Sequence, residues 1–242
     1  MAWGISFLDA DNDGWLDIFS NNESGFGGQP TSFFHNLGDG TFVDTAIESG
    51  LYLYNSGYGC AVSDLDNDGD TDLIAVGYSV VNGILLFENQ SSVNNWLQLR
   101  LNGDPPNTSA IGTSVTLWAD GMLQKNYIHA GTGFCSQDSY SLRYGIDEYS
   151  QVDSLVVLWP SGSKTYYPMG VNAILEIHEN DECIPYGEVT NDGAVDVLDL
   201  VAIVAYILNS MELNEDALCQ SDLNHDDTVD VLDIIMIIDQ II

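Results

Sequence analysis

The chain has 242 residues, 45% hydrophobic and 17% charged, which is enough apolar material for two or three small domains with real cores. Its 37 acidic residues against four Lys and Arg give a net charge of −33. That balance excludes a nucleic-acid binder, which needs clustered basic side chains. No apolar run is long enough to span a membrane, and no basic n-region or signal h-region marks the N-terminus.

The charge divides the chain into three regions. Residues 1–93 hold 14 Asp and Glu with no Lys or Arg, residues 94–180 hold eight acids with all four basic residues, and residues 181–242 hold 15 acids with no basic residue. Two acidic segments flank a nearly balanced one, as in a protein neutralised by bound metal.

In the first region "DADNDGWLD" (9–17) returns as "DLDNDGDTD" (64–72). Asp9, Asp11, Asp13 and Asp17 fall at positions 1, 3, 5 and 9 of a loop with Gly14 at position 6; Asp64, Asp66, Asp68 and Asp72 fall likewise around Gly69. Alternate carboxylates around a turn-making glycine are the spacing of a Ca²⁺ cage. Asp, Asn and Gly are also ordinary turn residues, but a one-in-two alternation repeated with matching flanks is more specific. Position 12 is Ser20 or Ala75, where an EF-hand needs a bidentate carboxylate. The segments that follow, "WLDIFS" and "TDLIAVGYSV", read as strands.

The repeat extends beyond the loops: "WGISFLDADNDGWLDIF" parallels "YGCAVSDLDNDGDTDLI", and "SFFHNLGDGTF" is echoed by "ILLFENQSS". A period of about 55 residues with several strands per unit suits propeller blades. These residues resemble the FG-GAP/VCBS repeat family, and the resemblance implies calcium ligation by the aspartates of both loops, with the carbonyls of Trp15 and Asp70 at position 7 as further ligands. Two blades cannot close a propeller, so further blades are expected upstream, and the chain reads as the C-terminal part of a longer secreted protein.

The middle region alternates as strands: "NNWLQLRLNG", "SVTLWADG", "QKNYIHAGTG", "DSLVVLWPSG". Through "NNWLQLRL", "AIGTSVTLWADG", "GTGFCSQDSYSLRYGI" and "VDSLVVLWPSGSKTYY" it resembles the ASPIC/UnbV domain, a small β module without catalytic residues to carry over. His129, Ser136, Asp138 and Ser139 could be drawn as a hydrolytic triad, but no nucleophile elbow accompanies them. His129 is expected on a strand with a hydrogen-bond partner. Trp118, Trp159 and Tyr166 could stack sugars, although aromatic strand residues are more often core.

In the third region acidic loops lead into helices. "EVTNDGAVDVLD" sets Glu188, Thr190, Asp192, Asp196 and Asp199 at positions 1, 3, 5, 9 and 12, with Ala194 at position 7. "DLNHDDTVDVLD" sets Asp222, Asn224, Asp226, Thr228, Asp230 and Asp233 at the equivalent positions, 34 residues on. The apolar runs "LVAIVAYILN" and "IIMIIDQII" are each long enough for about three helical turns. The pair resembles the dockerin family, whose calcium loops fold a small helical module that docks onto a cohesin. Glu188 and Thr190 depart from that family's pattern, as does Asp227, which must take a left-handed backbone or distort its loop. Val197-Leu198 and Val231-Leu232 stand where many cellulosomal dockerins present a Ser/Thr recognition pair, so partner specificity does not transfer. Duplication within the module brings Cys183 and Cys219 to comparable positions, and a disulfide between them is expected. Cys60 and Cys135 are expected free and buried.

The fold class is therefore mainly β, partial propeller blades and a small β domain, with a C-terminal α-helical dockerin-like module of EF-hand type. The expected domains are 1–93, 94–180 and 181–242, the cofactor is Ca²⁺, and the partner is a cohesin-like protein, with glycans as further candidate ligands. Calcium cages and a disulfide place the protein outside the cytoplasm. The function expected is a non-enzymatic extracellular adhesion or scaffold protein; the alternative is a dockerin-tethered component of polysaccharide degradation.

Overall fold

A computed structural model describes residues 2–23, 28–54, 56–78, 83–91, 94–166, 169–179, 187–190, 192, 195–224, 226 and 228–241. The strands in chain order are β1 (Ala2–Leu8), β2 (Asp17–Asn22), β3 (Ser32–Asn36), β4 (Phe42–Asp44), β5 (Gly57–Ser63), β6 (Asp72–Gly77), β7 (Ile84–Phe87), β8 (Asn95–Asn102), β9 (Ser114–Ala119), β10 (Met122–Tyr127), β11 (Leu142–Asp147), β12 (Gln151–Val152), β13 (Ser154–Trp159), β14 (Gly162–Tyr166), β15 (Met169–Gly170) and β16 (Ala173–His178). Three helices end the chain, α1 (Val197–Ile207), α2 (Glu215–Ser221) and α3 (Val231–Ile241). The architecture is mainly β with a C-terminal helical module.

The chain forms two compact units, Met1–Gln98 with Tyr127–Glu148, and Leu99–Asn126 with Tyr149–Ile242. The first contains two antiparallel meanders, β1-β2-β3-β4 and β5-β6-β7. Each places an acidic loop between its first two strands, so the repeat seen in the sequence is a repeat of strand, loop and strand. Period-two alternation sorts the faces: β1 buries Gly4, Ser6 and Leu8 and exposes Trp3, Ile5 and Phe7. β1 lies against β5, and Leu8, Phe19, Phe33, Ala46, Cys60, Leu73 and Ala75 form one buried cluster.

Residues 127–148 complete this unit. The stretch 132–139 runs beside β5: Ser139 N–H donates to the Val62 carbonyl at 3.1 Å, Val62 N–H donates to Asp138 Oδ1 at 2.9 Å, and Ser136 Oγ donates to the Cys60 carbonyl at 2.7 Å. β11 then crosses the first acidic loop, where Asp147 N–H donates to the Asn12 carbonyl at 2.9 Å. A Cβ on Gly145 would fall 2.2 Å from Asp9 Oδ2 and 2.4 Å from the Asn12 carbonyl carbon. Only a residue without a side chain lets the strand lie this close to the loop.

In the second unit β9 and β13 are the central strands of the order β10-β9-β13-β14. Leu155 faces Leu117 and Val157 faces Val115, and this face, with Ala119 and Trp159, is buried. Trp118 pairs with Ser154 and so projects from the other face of the sheet. The helical module has its own core of Val189, Ala202, Ile203, Ala217, Leu223 and Ile237. Asp196 caps α1 and Asp199 completes a capping box with it.

Several expectations need correction. The module has a short third helix, α2, which the apolar runs did not mark; its start is set by Asn214, whose Oδ1 accepts the Ala217 N–H at 2.8 Å. His129 is exposed and lies beyond the end of β10. Cys60 is free and buried as expected, but Cys135 is free and exposed, because it sits in a turn with φ of 53° outside the strands. Cys219 is disulfide-bonded, and Cys183, its expected partner, lies outside the described residues, as does Asp227. No helix among the described residues is long and apolar enough to cross a membrane.

The close approach of β11 gives a direct test. Gly145→Ala forces two backbones apart, whereas Gly162→Ala adds a methyl with nothing within 4 Å. Overpacking of this kind costs about 1–3 kcal/mol or more, so Gly145→Ala lowers the melting temperature by several degrees and Gly162→Ala leaves it nearly unchanged. Comparable melting curves for both variants would contradict the packing described.

Candidate metal centres

The two N-terminal loops are built alike down to individual hydrogen bonds. Gly14 (φ 86°) and Gly69 (φ 92°) make the left-handed turn at position 6, and Asn12 (φ 57°) and Asn67 (φ 62°) make another at position 4. Gly14 N–H donates to Asp9 Oδ2 at 2.8 Å, and Gly69 N–H to Asp64 Oδ2 at 3.2 Å. Trp15 N–H donates to Asp13 Oδ1, and Asp70 N–H to Asp68 Oδ1. The position-9 carboxylates close the loops from inside. Asp17 accepts from Ala10 N–H and Asn36 N–H, Asp72 accepts from Leu65 N–H and Asn89 N–H, and both are buried.

This wiring concentrates negative charge. Carboxylate oxygens of Asp9, Asp11 and Asp13 lie within 4.8 Å of one another, as do those of Asp64, Asp66 and Asp72. Asp11, Asp17 and His35 form a third such group, with His35 Nδ1 3.1 Å from Asp17 Oδ1. Burial, then the neighbouring carboxylates, pushes the Asp9 carboxyl up to about 7. Asp13, Asp17 and Asp68 are also raised, first by burial. One oxygen in each loop, Asp11 Oδ1 and Asp64 Oδ1, is buried with no hydrogen-bond partner. An orphaned carboxylate oxygen inside a cluster of oxygen donors fits a hard divalent cation, which satisfies the oxygens and cancels the repulsion. Asp9, Asp11 and Asp13 would hold the ion in the first loop and Asp64, Asp66 and Asp72 in the second. Asp68 is raised alongside the second group but is not one of its three.

The C-terminal loops repeat a different pattern 34 residues apart. Asp199 Oδ1 accepts from Val189 and Thr190 N–H and its Oδ2 from Asp196 N–H; Asp233 does the same for Leu223, Asn224 and Asp230. At position 1, Glu188 Oε1 accepts the Asp192 N–H at 2.8 Å, and Asp222 Oδ1 accepts the Asp226 N–H at 3.2 Å. The longer Glu188 therefore fills the role of an aspartate. Leu198 and Leu232 N–H donate to Asp196 and Asp230, and Thr228 N–H donates to Asp226 Oδ1. Among the described residues the acids of these loops do not gather in threes as in the first pair. Position 3 is neutral in both, Thr190 and Asn224, and Ala194 lies outside the described residues.

The sequence reading missed the asparagines that stitch the first two loops together. Asn12 Nδ2 donates to Asp70 Oδ1 at 3.0 Å, Asn89 Nδ2 to the Ala10 carbonyl at 2.7 Å, and Asn94 Nδ2 to the Asp11 carbonyl at 2.8 Å. The matched Asn36 and Asn89 at the ends of "FFHN" and "LFEN" were the available signal. Other candidates do not assemble. Ser136 Oγ is spent on the Cys60 and Thr132 carbonyls and Asp138 on Val62 N–H, while His129 is exposed with its ring 5.9 Å from that of Tyr127. Trp159 is buried and Trp118 projects from the opposite face, so these two cannot form one sugar platform; the side chain of Tyr166 lies outside the described residues. A cavity of about 720 Å³ in the first unit is lined half by apolar residues, such as Leu8, Phe33, Leu73 and Phe87, and half by polar ones, Glu48 and Glu88 among them.

The first unit thus sets acidic loops between paired strands, and the second joins a strand-rich part to a helical module with duplicated acidic loops. Family models match in that order: an FG-GAP-like repeat over residues 9–75, ASPIC and UnbV over 103–183, and a dockerin type I domain over 186–242. The chain thus carries all three domain types; dockerin type I domains as a class bind calcium and imply a cohesin partner. Among curated proteins it is similar to cartilage acidic protein 1 of Mus musculus, 44% identical over 59 residues covering 24% of this chain and 8% of that protein. The Xenopus tropicalis protein of the same name is 40% identical over 72 residues, 29% of this chain and 10% of that one. The match therefore spans about a tenth of the length of these relatives.

The raised carboxyls set a pH dependence. In EDTA, Asp9 with an ordinary value of 3.8 and a folded value of about 7 contributes stability that is full below about pH 4 and lost as pH rises through 7. The metal-free protein should therefore lose stability between pH 4.5 and 7.5, and millimolar Ca²⁺ should restore it at the upper end. Melting curves across that range decide; a stability in EDTA that rises with pH would contradict the account.

Proposed function

We propose that this protein is a non-enzymatic, calcium-stabilised extracellular component that attaches through its helical module to a cohesin-type partner, with the two β units as an adhesive or scaffold part. The dockerin match supports the docking and the extracellular setting. The observation that carries the reading is an apolar face duplicated across the module. Val197 and Leu198 are 61% and 57% exposed on α1, and their counterparts Val231 and Leu232 are 59% and 54% exposed on α3. Val201, Val204 and Leu208 continue the first face, and Ile235 and Ile238 the second. Ile203 and Ile237 point inward on the same helices and are fully buried.

Each helix therefore uses one stripe for the module's core and leaves another in water. Covering such a surface supplies about 25 cal/mol per Å², and the loop wiring fixes the start of each helix that presents it. The faces are aliphatic, so the partner groove we expect is apolar rather than built for hydroxyl groups. The acidic residues around them suit basic side chains at its rim.

The dockerin-tethered, polysaccharide-degrading alternative needs a carboxylate pair in a cleft. The acids lining the 720 Å³ cavity of the first unit, Glu48 and Glu88, are both exposed, so this cavity offers no buried carboxyl as a general acid. The relatives are named for cartilage and for acidity; this chain shares the second property.

Binding of the full chain to immobilised type I cohesins tests the proposal. Binding is expected in Ca²⁺, and is expected to fall more than a hundredfold in EDTA or when Val197, Leu198, Val231 and Leu232 are all replaced by Asp. Unchanged binding by that variant would overturn the proposal.

A further inference from the structure

Arg143 is the only Lys or Arg in the first compact unit, against 14 acids in residues 1–98 and three in residues 127–148. It stands on β11 beside the second acidic loop. Its Nε donates to Oγ1 of Thr71, a buried residue at position 8 of that loop, at 3.1 Å. Its Nη1 is buried with no hydrogen-bond partner. Among the described residues no carboxylate comes within 4.0 Å to form an ion pair with it; the charges that act on it are those of Asp64, Asp72 and Asp138. Asp64 Oδ1, in turn, is the orphaned oxygen of the second loop.

Arg143 is half-buried, and a guanidinium with one nitrogen shut off from water and no direct ion pair is costly unless a surrounding field offsets the lost hydration. Here Asp64 and Asp72 supply that field, and they are two of the three acids gathered in the second loop. A divalent cation bound there draws on the same carboxylates and is repelled by the guanidinium. Among the described residues the first loop has no guanidinium or ammonium beside it: its nearby base is His35, bonded to Asp17 and 4.0 Å from Asp11.

We propose that Arg143 is the affinity-setting residue of the second loop, a fixed positive charge that makes this loop the weaker of the two N-terminal cation centres, so that the first loop fills before it. The inference rests on the reading of both loops as cation centres. At the effective dielectric of a protein interior, a charge so placed lowers the affinity for a divalent ion by on the order of tenfold or more.

The loops carry their own reporters. Trp15 occupies position 7 of the first loop. Trp96 lies on the second, where a Cβ on Gly69 would fall 2.0 Å from its ring. Residues 181–242 contain no tryptophan. Because Asn12 reaches Asp70 and Asn94 reaches the Asp11 carbonyl, the tryptophans lie near both loops. Terbium luminescence excited through tryptophan in the full chain is therefore read for the second loop with the first silenced by Asp9→Asn and Asp11→Asn, and for the first with the second silenced by Asp64→Asn and Asp66→Asn.

The expected result is a midpoint at least about tenfold lower for the first loop. Arg143→Gln, which keeps a donor for Thr71, and Arg143→Met should both bring the second loop's midpoint down by about tenfold. Arg143→Lys should leave it near its original value, and the first loop's midpoint, unchanged throughout, shows that the unit is folded. Equal midpoints in the unsubstituted chain, or a second-loop midpoint unchanged or raised in Arg143→Gln, would overturn the inference. Loss of both signals in the Gln and Met variants but not in Lys would also overturn it, because the charge would then serve folding. Absence of calcium-displaceable terbium luminescence from both loops of the unsubstituted chain would overturn the cation reading itself.

Discussion

In all four acidic loops, carboxylates accept backbone N–H groups of their own loop, and everything else in the two acidic regions depends on this. Each such bond fixes the turn and at the same time brings the next carboxylate inward. The gain is a rigid loop of few residues; in the first two loops the cost is like charge gathered where water is partly excluded. The burial that raises Asp9 and the orphaned oxygens of Asp11 and Asp64 are two expressions of the same unbalanced charge. A cation bound there would resolve both, and would make ion binding and loop order one event.

That constraint also explains how the loops are used differently. In the first unit the position-9 carboxylates Asp17 and Asp72 tie each loop to the end of the third strand of its own meander, through Asn36 and Asn89. The loops thereby hold sheets together. In the helical module the corresponding clamps are the position-12 residues Asp199 and Asp233, which tie the start of the loop to the first turn of the following helix. There the loops orient helices, and the apolar faces those helices leave in water follow from the orientation.

Much of this was legible in the sequence because it is local. The carboxylate spacing, the glycine at position 6, the strand alternation after the first two loops and the apolar runs after the last two all lie within stretches of about a dozen residues. What escaped is long-range. "GTGFCSQDSYSLRYGI" reads as part of the middle region, yet Ser136, Asp138 and Gly145 pack on β5 and the first loop. Nothing local distinguishes a glycine that admits a neighbouring loop from one in an ordinary strand. Asn12 and Asn67 look like turn residues, which they are; that Asn12 also reaches Asp70 depends on how two loops 55 residues apart meet. Arg143 was visible as one of four basic residues, but its place beside the second loop was not. The helix α2 was missed because it is short and polar, and its start rests on one capping asparagine.

The central claim is that cation binding and the order of these loops are one event, and amide hydrogen exchange of the full chain tests it most directly. The N–H groups of Gly14, Asn36, Gly69, Asn89, Val189 and Leu223 all donate to loop carboxylates, and that of Asp147 bonds the first loop's backbone. The account predicts strong protection of all seven in Ca²⁺ and its loss in EDTA, while amides in the centre of β13 stay protected. Equal protection of the loop amides in Ca²⁺ and EDTA would contradict it.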